Sequence, residues 1–179
     1  IAYAFNRNLM YVIKVFRRIS MFPRLLLAGT IMGLISFLVP QAMGSGMSAI
    51  HLSVISADNM QLLMTILIAK LIATLFVLGL GIPGGIIGSV FGLGVLIGTL
   101  MSYFGSYMSP DDYVVGTYAV LGMAGLFAAT LHAPLAALVA VMEMTSSSHI
   151  TVPAMVVITT AYVSALQFFG NRSIFLQQL

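Results

Sequence analysis

The chain has 179 residues, of which 60% are hydrophobic and only 6% charged, with a mean hydropathy of +1.11 and a net charge of +3. A water-soluble domain carries roughly 25% charged residues, so most of this surface must face lipid. There is no cysteine, which excludes disulfides and thiol-ligated metals. His51, His132 and His149 form no helical ligand pair, so no metal or cofactor is expected.

Five of the seven basic residues, Arg7, Lys14, Arg17, Arg18 and Arg24, lie in the first 24 positions. They read as a positive cluster flanking a membrane span, with a lipid-headgroup site as the sharper alternative. They are not set among folded polar surface, so nucleic acid is not an expected partner. The sequence opens at Ile1 without a leader and stops at Leu179 as a new apolar segment begins. It therefore reads as one partial membrane domain, residues 1–179, of a longer protein.

Apolar runs near the length of a membrane-spanning helix, about 20 residues, recur at Leu25–Val39, Leu62–Leu80, Ile86–Met101, Tyr113–Leu131 and Thr151–Phe169. The first stops at "VPQAMGSG" (Val39–Gly46), where Pro40 and the glycines end a helix. An amphipathic stretch, Met47–Ser56, and the turn Ala57–Asn59 lead into a helix from about Met60 to Leu80 that carries Lys70. After a glycine-rich break the helix resumes over Ile87–Phe104, followed by the polar loop Ser109–Asp112. Pro134 divides the next apolar region into helices over 113–131 and 134–145, because an interior proline removes a hydrogen bond and clashes with the preceding turn. A last span covers 150–169, and the turn Gly170–Arg172 leads to "SIFLQQL". The expected architecture is all-α, integral to the membrane and multi-pass, with seven or eight tilted or broken helical pieces.

The break itself, "GLGIPGGIIGS" (Gly79–Ser89), contains a literal G-x-G-x-x-G. It follows an apolar helix, places Pro83 in the loop, and meets no acidic residue before Asp111, so it is not a dinucleotide fingerprint. Gly88, Gly92, Gly94 and Gly98 suit close helix packing in a membrane. "GIPGG" is different, because it marks an irregular loop just before a helix begins. The first helical turn has unpaired N–H groups and a partial positive charge, so it attracts an anion. Glycines leave those amides uncovered. Without a full positive charge the anion can leave as well as enter, which conduction requires. Interrupted backbone inside a membrane is tolerated only where it is enclosed by protein or lines a cavity, as in transporters built from discontinuous helices.

These residues resemble the CLC family of chloride channels and chloride/proton antiporters. "GIPGGIIGS" resembles its "GxPGGxFxP" filter segment, and "VPQAMGSG" resembles its "P-x-x-x-G-G-G" turn. Lys70 in "AKLIATL" resembles the basic residue of the helix before the filter. "YAVLGMAGLFAATLHAPLAALVAVMEMT" (Tyr118–Thr145) resembles "GMAALLAAxxRAPLTxxxxxxEMT". The last span with "GNRSIF" resembles the segment ending in the family's anion-contacting tyrosine. The resemblance covers the whole chain, as the second of two inverted halves with the first half and the end of the last helix lying outside it.

The resemblance implies a homodimer in lipid, in the inner membrane if the source is bacterial, with one anion path per subunit and chloride or a similar anion as the transported species. No enzymatic chemistry is implied. Ile86 and Ile87 match the filter residues whose amides contact chloride, with Gly85 and Gly88 on either side. Phe175 matches the tyrosine whose hydroxyl contacts it. Ile87 stands where the family has Phe, Ser89 where it has Pro, and Phe175 brings no hydroxyl. Glu143 and Lys70 are expected to be helix-end charges reaching the interface, with a mutual pairing as the alternative. The family's filter serine and gating glutamate belong to the other half. Channel and antiporter are both compatible with these residues, as are a relative specialised for another anion such as fluoride and a non-conducting scaffold.

Overall fold

The computed structural model of the protein describes residues 2–16, 20–43, 59–80, 86–108, 114–145 and 148–167. The Met47–Ser56 stretch, Gly81–Gly85, the Ser109–Asp112 loop, the Gly170–Arg172 turn and Phe175 lie outside them. Every regular element among the described residues is helical: α1 (Ala2–Phe16), α2 (Met21–Leu38), α3 (Met60–Gly79), α4 (Ile86–Met108), α5 (Val115–Leu131), α6 (Pro134–Thr145) and α7 (Thr151–Gln167), with short 3-10 turns at Pro40–Ala42 and Ser148–Ile150.

The boundaries have local causes. Pro40 opens the 3-10 turn that ends α2, and Val39 N–H still reaches the Ile35 carbonyl at 2.7 Å. Asn59 caps α3, its side chain accepting from the Leu62 amide at 3.1 Å. α5 stops at His132, which adopts a left-handed conformation with φ 57° and ψ 36°. Pro134 then begins α6, where its missing N–H costs nothing. Proline thus divides the apolar stretch as the sequence implies.

α5 is the hub. It packs most extensively on α4 and next on α7. Its buried Ala119, Met123, Phe127 and Ala128 join Val90 and Leu93 of α4, Leu75 and Leu78 of α3, and Ala154 and Ile158 of α7 in one core. The α4–α5 crossing is made by glycine. A methyl group on Gly122 would lie 2.5 Å from the Gly94 carbonyl oxygen, and one on Gly94 would lie 2.6 Å from the Met123 Cα. Such close approach lets two helices gain dispersion and polar contact where lipid offers no hydrophobic driving force. Buried hydroxyls are satisfied within their own helices, as when Thr99 donates to the Val95 carbonyl at 3.0 Å and Thr130 to Leu126 at 2.7 Å.

Two features differ from the sequence reading. The first basic cluster is largely helix: α1 buries Phe5 and Leu9 one turn apart, and turns Arg7 and Lys14 outward from the opposite side. Three helices, Met21–Leu38, Met60–Gly79 and Ile86–Ser106, are long and apolar enough to cross a membrane, and the later ones are shorter. Of these, α2 buries only Ala28 and, among the described residues, packs chiefly on α3 and the 3-10 turn. Phe37 is 89% exposed. That apolar surface faces outward from the chain, as a membrane-embedded helix allows.

Candidate anion site

The first turn of α4 is the candidate site. The helix begins at Ile86, directly after the glycine pair, so Ile86, Ile87 and Gly88 are its first three residues. Amides at these positions have no carbonyl one turn earlier in the helix to bond and point along the axis toward the break. The macrodipole adds about half a positive charge there. Ile86 is half-buried and packs against the main core, fixing the start of the helix, while Ile87 is 50% exposed. Gly88 is half-buried. Of the expected anion-binding residues the structure therefore brings Ile86, Ile87 and Gly88 together on one helical turn. Gly85 and Phe175 lie outside the described residues.

Of the two charges expected at helix ends, one behaves differently. Lys70 is in the middle of α3, not at its end, and is 3% exposed. It is the one buried charged residue among those described. Its Nζ donates to the Ala42 carbonyl at 3.2 Å. The helix-end reading fails for it because α3 continues for nine residues beyond it and neighbouring elements cover it. Ten residues of helix separate Lys70 from Leu80, about 15 Å along the axis. Glu143 fits that reading: it is exposed in the last turn of α6.

Arg24 also departs from the flanking cluster. It is half-buried near the start of α2, and its guanidinium forks onto the Leu80 carbonyl through Nε at 3.0 Å and a terminal nitrogen at 2.6 Å. Leu80 is the cap residue of α3, immediately before the break. Nothing in the local pattern signals a bond spanning 56 residues.

His132 is the remaining unusual group. It stands where the family pattern "RAPLT" has Arg. Both ring nitrogens are buried without a hydrogen-bond partner. The ring meets Tyr162 of α7 edge-on, 5.7 Å between centroids. No group of metal-ligating side chains occurs among the described residues.

Comparison with known proteins gives a consistent result. A family profile described as "voltage gated chloride channel" matches residues 1–166. An H(+)/Cl(-) exchange transporter ClcA from Yersinia pestis bv. Antiqua is 34% identical over 150 residues, covering 83% of this chain and 31% of that protein. The transporter of the same name from Salmonella agona is 32% identical over 148 residues, covering 82% and 31%. A crystal structure of a slow cyanobacterial Cl-/H+ antiporter superposes with a TM-score of 0.84 at 27% identity, covering 99% of this chain and 43% of that one. The chain thus spans about a third of the length of these curated relatives.

Proposed function

Because the chain belongs to the voltage gated chloride channel family, an integral membrane family, we propose that it forms the second half of an anion-transport domain. It would hold chloride on the backbone amides that open α4. The observation that carries this reading is the helix start at Ile86, directly behind a glycine pair and anchored in the core. Gly85, Ile86, Ile87 and Gly88 supply the donors. Backbone donation is indifferent to side-chain identity, so Ile87 and Ser89 leave it intact. Phe175, at the sequence position of the family's tyrosine, has no hydroxyl to offer the anion, which in this reading weakens the inner constriction. The rest of the polypeptide supplies the opposing half, and two copies associate in lipid. Relatives described as chloride/proton exchangers favour exchange over passive conduction.

No covalent step is involved. Chloride exchanges its hydration shell for fixed amide dipoles in a low-dielectric site, where such dipoles act more strongly than in water. The test is chloride efflux from liposomes holding the complete polypeptide, followed together with external pH. Chloride efflux driving protons inward is the expected result. Efflux without proton movement would leave transport standing and remove exchange, while no efflux above that of empty liposomes would remove the transport reading.

A further inference from the structure

We infer that His132 is an electrostatic positioning residue for the first turn of α4: protonation of its imidazole sets a cation level with those amides, so chloride binds more tightly in acid than in base. The inference rests on the reading of that turn as an anion site.

The register of α4 against α5 leads to it. Gly98 faces the Tyr118 carbonyl and the Ala119 Cα, and Gly94 faces the Met123 Cα. One step further along, the rings of Phe91 and Phe127 meet at 4.9 Å between centroids. As the α4 number falls the α5 number rises, so the two helices run antiparallel. Five residues before Phe91 is Ile86, the first residue of α4, and five residues after Phe127 is His132, the cap of α5. The carbonyl end of α5 is therefore level with the amide end of α4. His132 itself lies on the α7 side, two turns beyond Gly125, which faces Val157, and its ring meets Tyr162. Packed helices lie about 8–10 Å apart, axis to axis. With side-chain reach added, the imidazole is within about 20 Å of an anion on the first turn of α4.

The consequence is electrostatic. The last carbonyls of α5 bring about half a negative charge to the level at which α4 presents about half a positive one. A cation at 132 offsets the first and leaves the second to act on the anion. At an effective dielectric of about 20, one charge at 20 Å changes anion affinity by about fourfold, and by more at shorter range. Both imidazole nitrogens are buried without a hydrogen-bond partner, so no fixed donor or acceptor commits the ring to one charge. The centroid of Tyr162, at 5.7 Å, is within the reach of a cation–π contact.

No other charge is set to do this. α4, α5 and α7 carry none, and Tyr162 is the titratable group of α7. α6 carries Glu143, exposed in its last turn, and His149 is exposed in the 3-10 turn before α7, both at the far end of α6 from His132. Tyr118 is at the opposite end of α5, and Tyr103 and Tyr107 are near the opposite end of α4. On α1, Arg7, Tyr11 and Lys14 are exposed and Tyr3 is in the first turn, and Lys70 of α3 is held by the Ala42 carbonyl.

The experiment is calorimetric titration of chloride into the detergent-solubilised complete polypeptide at pH 5.5 and pH 8, a span over which histidines ordinarily change charge. His132→Arg keeps a cation at both pH values, and His132→Gln keeps none at either. Melting curves in chloride-free buffer accompany each protein, and either variant alone decides the question if the other does not fold. The expected result is a ratio of chloride Kd at pH 8 to that at pH 5.5 about fourfold larger in wild type than in the variants. Wild type should match the arginine variant in acid and the glutamine variant in base. An equal ratio in wild type and variants, with only the melting temperature changed, would overturn the inference and leave His132 as a packing residue. Arginine and glutamine variants with the same Kd would overturn it too. Wild-type protein that binds no chloride at either pH would overturn the anion-site reading itself, a failure visible before any His132 variant is compared.

Discussion

Gly122 has no room for a methyl group. One placed there would lie 2.5 Å from both the Gly94 carbonyl oxygen and the Gly98 Cα, all backbone atoms that cannot rotate away. Gly122→Ala should therefore force α4 and α5 apart and cost about 3 kcal/mol. Gly33, on α2, has nothing within 4 Å of the same position, and Gly33→Ala should gain about 0.5–1 kcal/mol from helix propensity. Melting curves of the two variants check this, and equal effects would contradict the crossing. Lys70 gives a second residue-scale prediction. Lys70→Ala leaves the Ala42 carbonyl without this donor and opens a buried cavity, at a combined cost of about 2–4 kcal/mol. Protease cleavage near residue 43 should quicken in that variant, and an unchanged digestion pattern would mean the contact does not hold the turn.

At the scale of elements, most boundaries were legible because covalent geometry sets them. Pro40, Asn59 and Pro134 end or begin helices by what their own atoms can or cannot bond, and the structure follows each of them. The start of α4 was legible for the same reason, within one residue. α1 is less legible: Phe5, Leu9 and Ile13 repeat every four residues, but the basic residues on the other side interrupt the apolar run. What no local pattern carries is contact between distant segments. Lys70 was expected at a helix end, and its burial depends on the turn at Ala42. In sequence Arg24 belongs with Arg7 and Lys14, yet its bond to Leu80 spans 56 residues. His132 occupies a backbone region that glycine or asparagine usually fills, a feature visible only once Leu131 ends α5 and Pro134 starts α6.

The whole molecule presents a well-packed group around α5 and a sparsely packed α2. Only Ala28 of α2 is buried inside the chain, whereas more than half of the apolar stretch of α4 is buried. Lipid and the opposing half of the transport domain account for such a surface in the proposed reading, and a half-site that shares its path with other residues should not conduct alone. The central claim, however, concerns four amides, and one substitution isolates them. Proline at the first position of a helix removes an N–H that has no helical partner and is compatible with the helix start, so Ile86→Pro deletes a proposed chloride donor, and Ile86→Ala serves as the control for the lost side chain. The decisive measurement is the chloride Kd of wild type and Ile86→Pro, taken by calorimetry on the complete polypeptide. A loss of about 10- to 100-fold is expected, the worth of a hydrogen bond to a charged group, whereas Ile86→Ala, which loses the same half-buried side chain but keeps the amide, should bind chloride as wild type does. An equal Kd in wild type and Ile86→Pro would contradict the account, because chloride would then be held somewhere other than the amides that open α4.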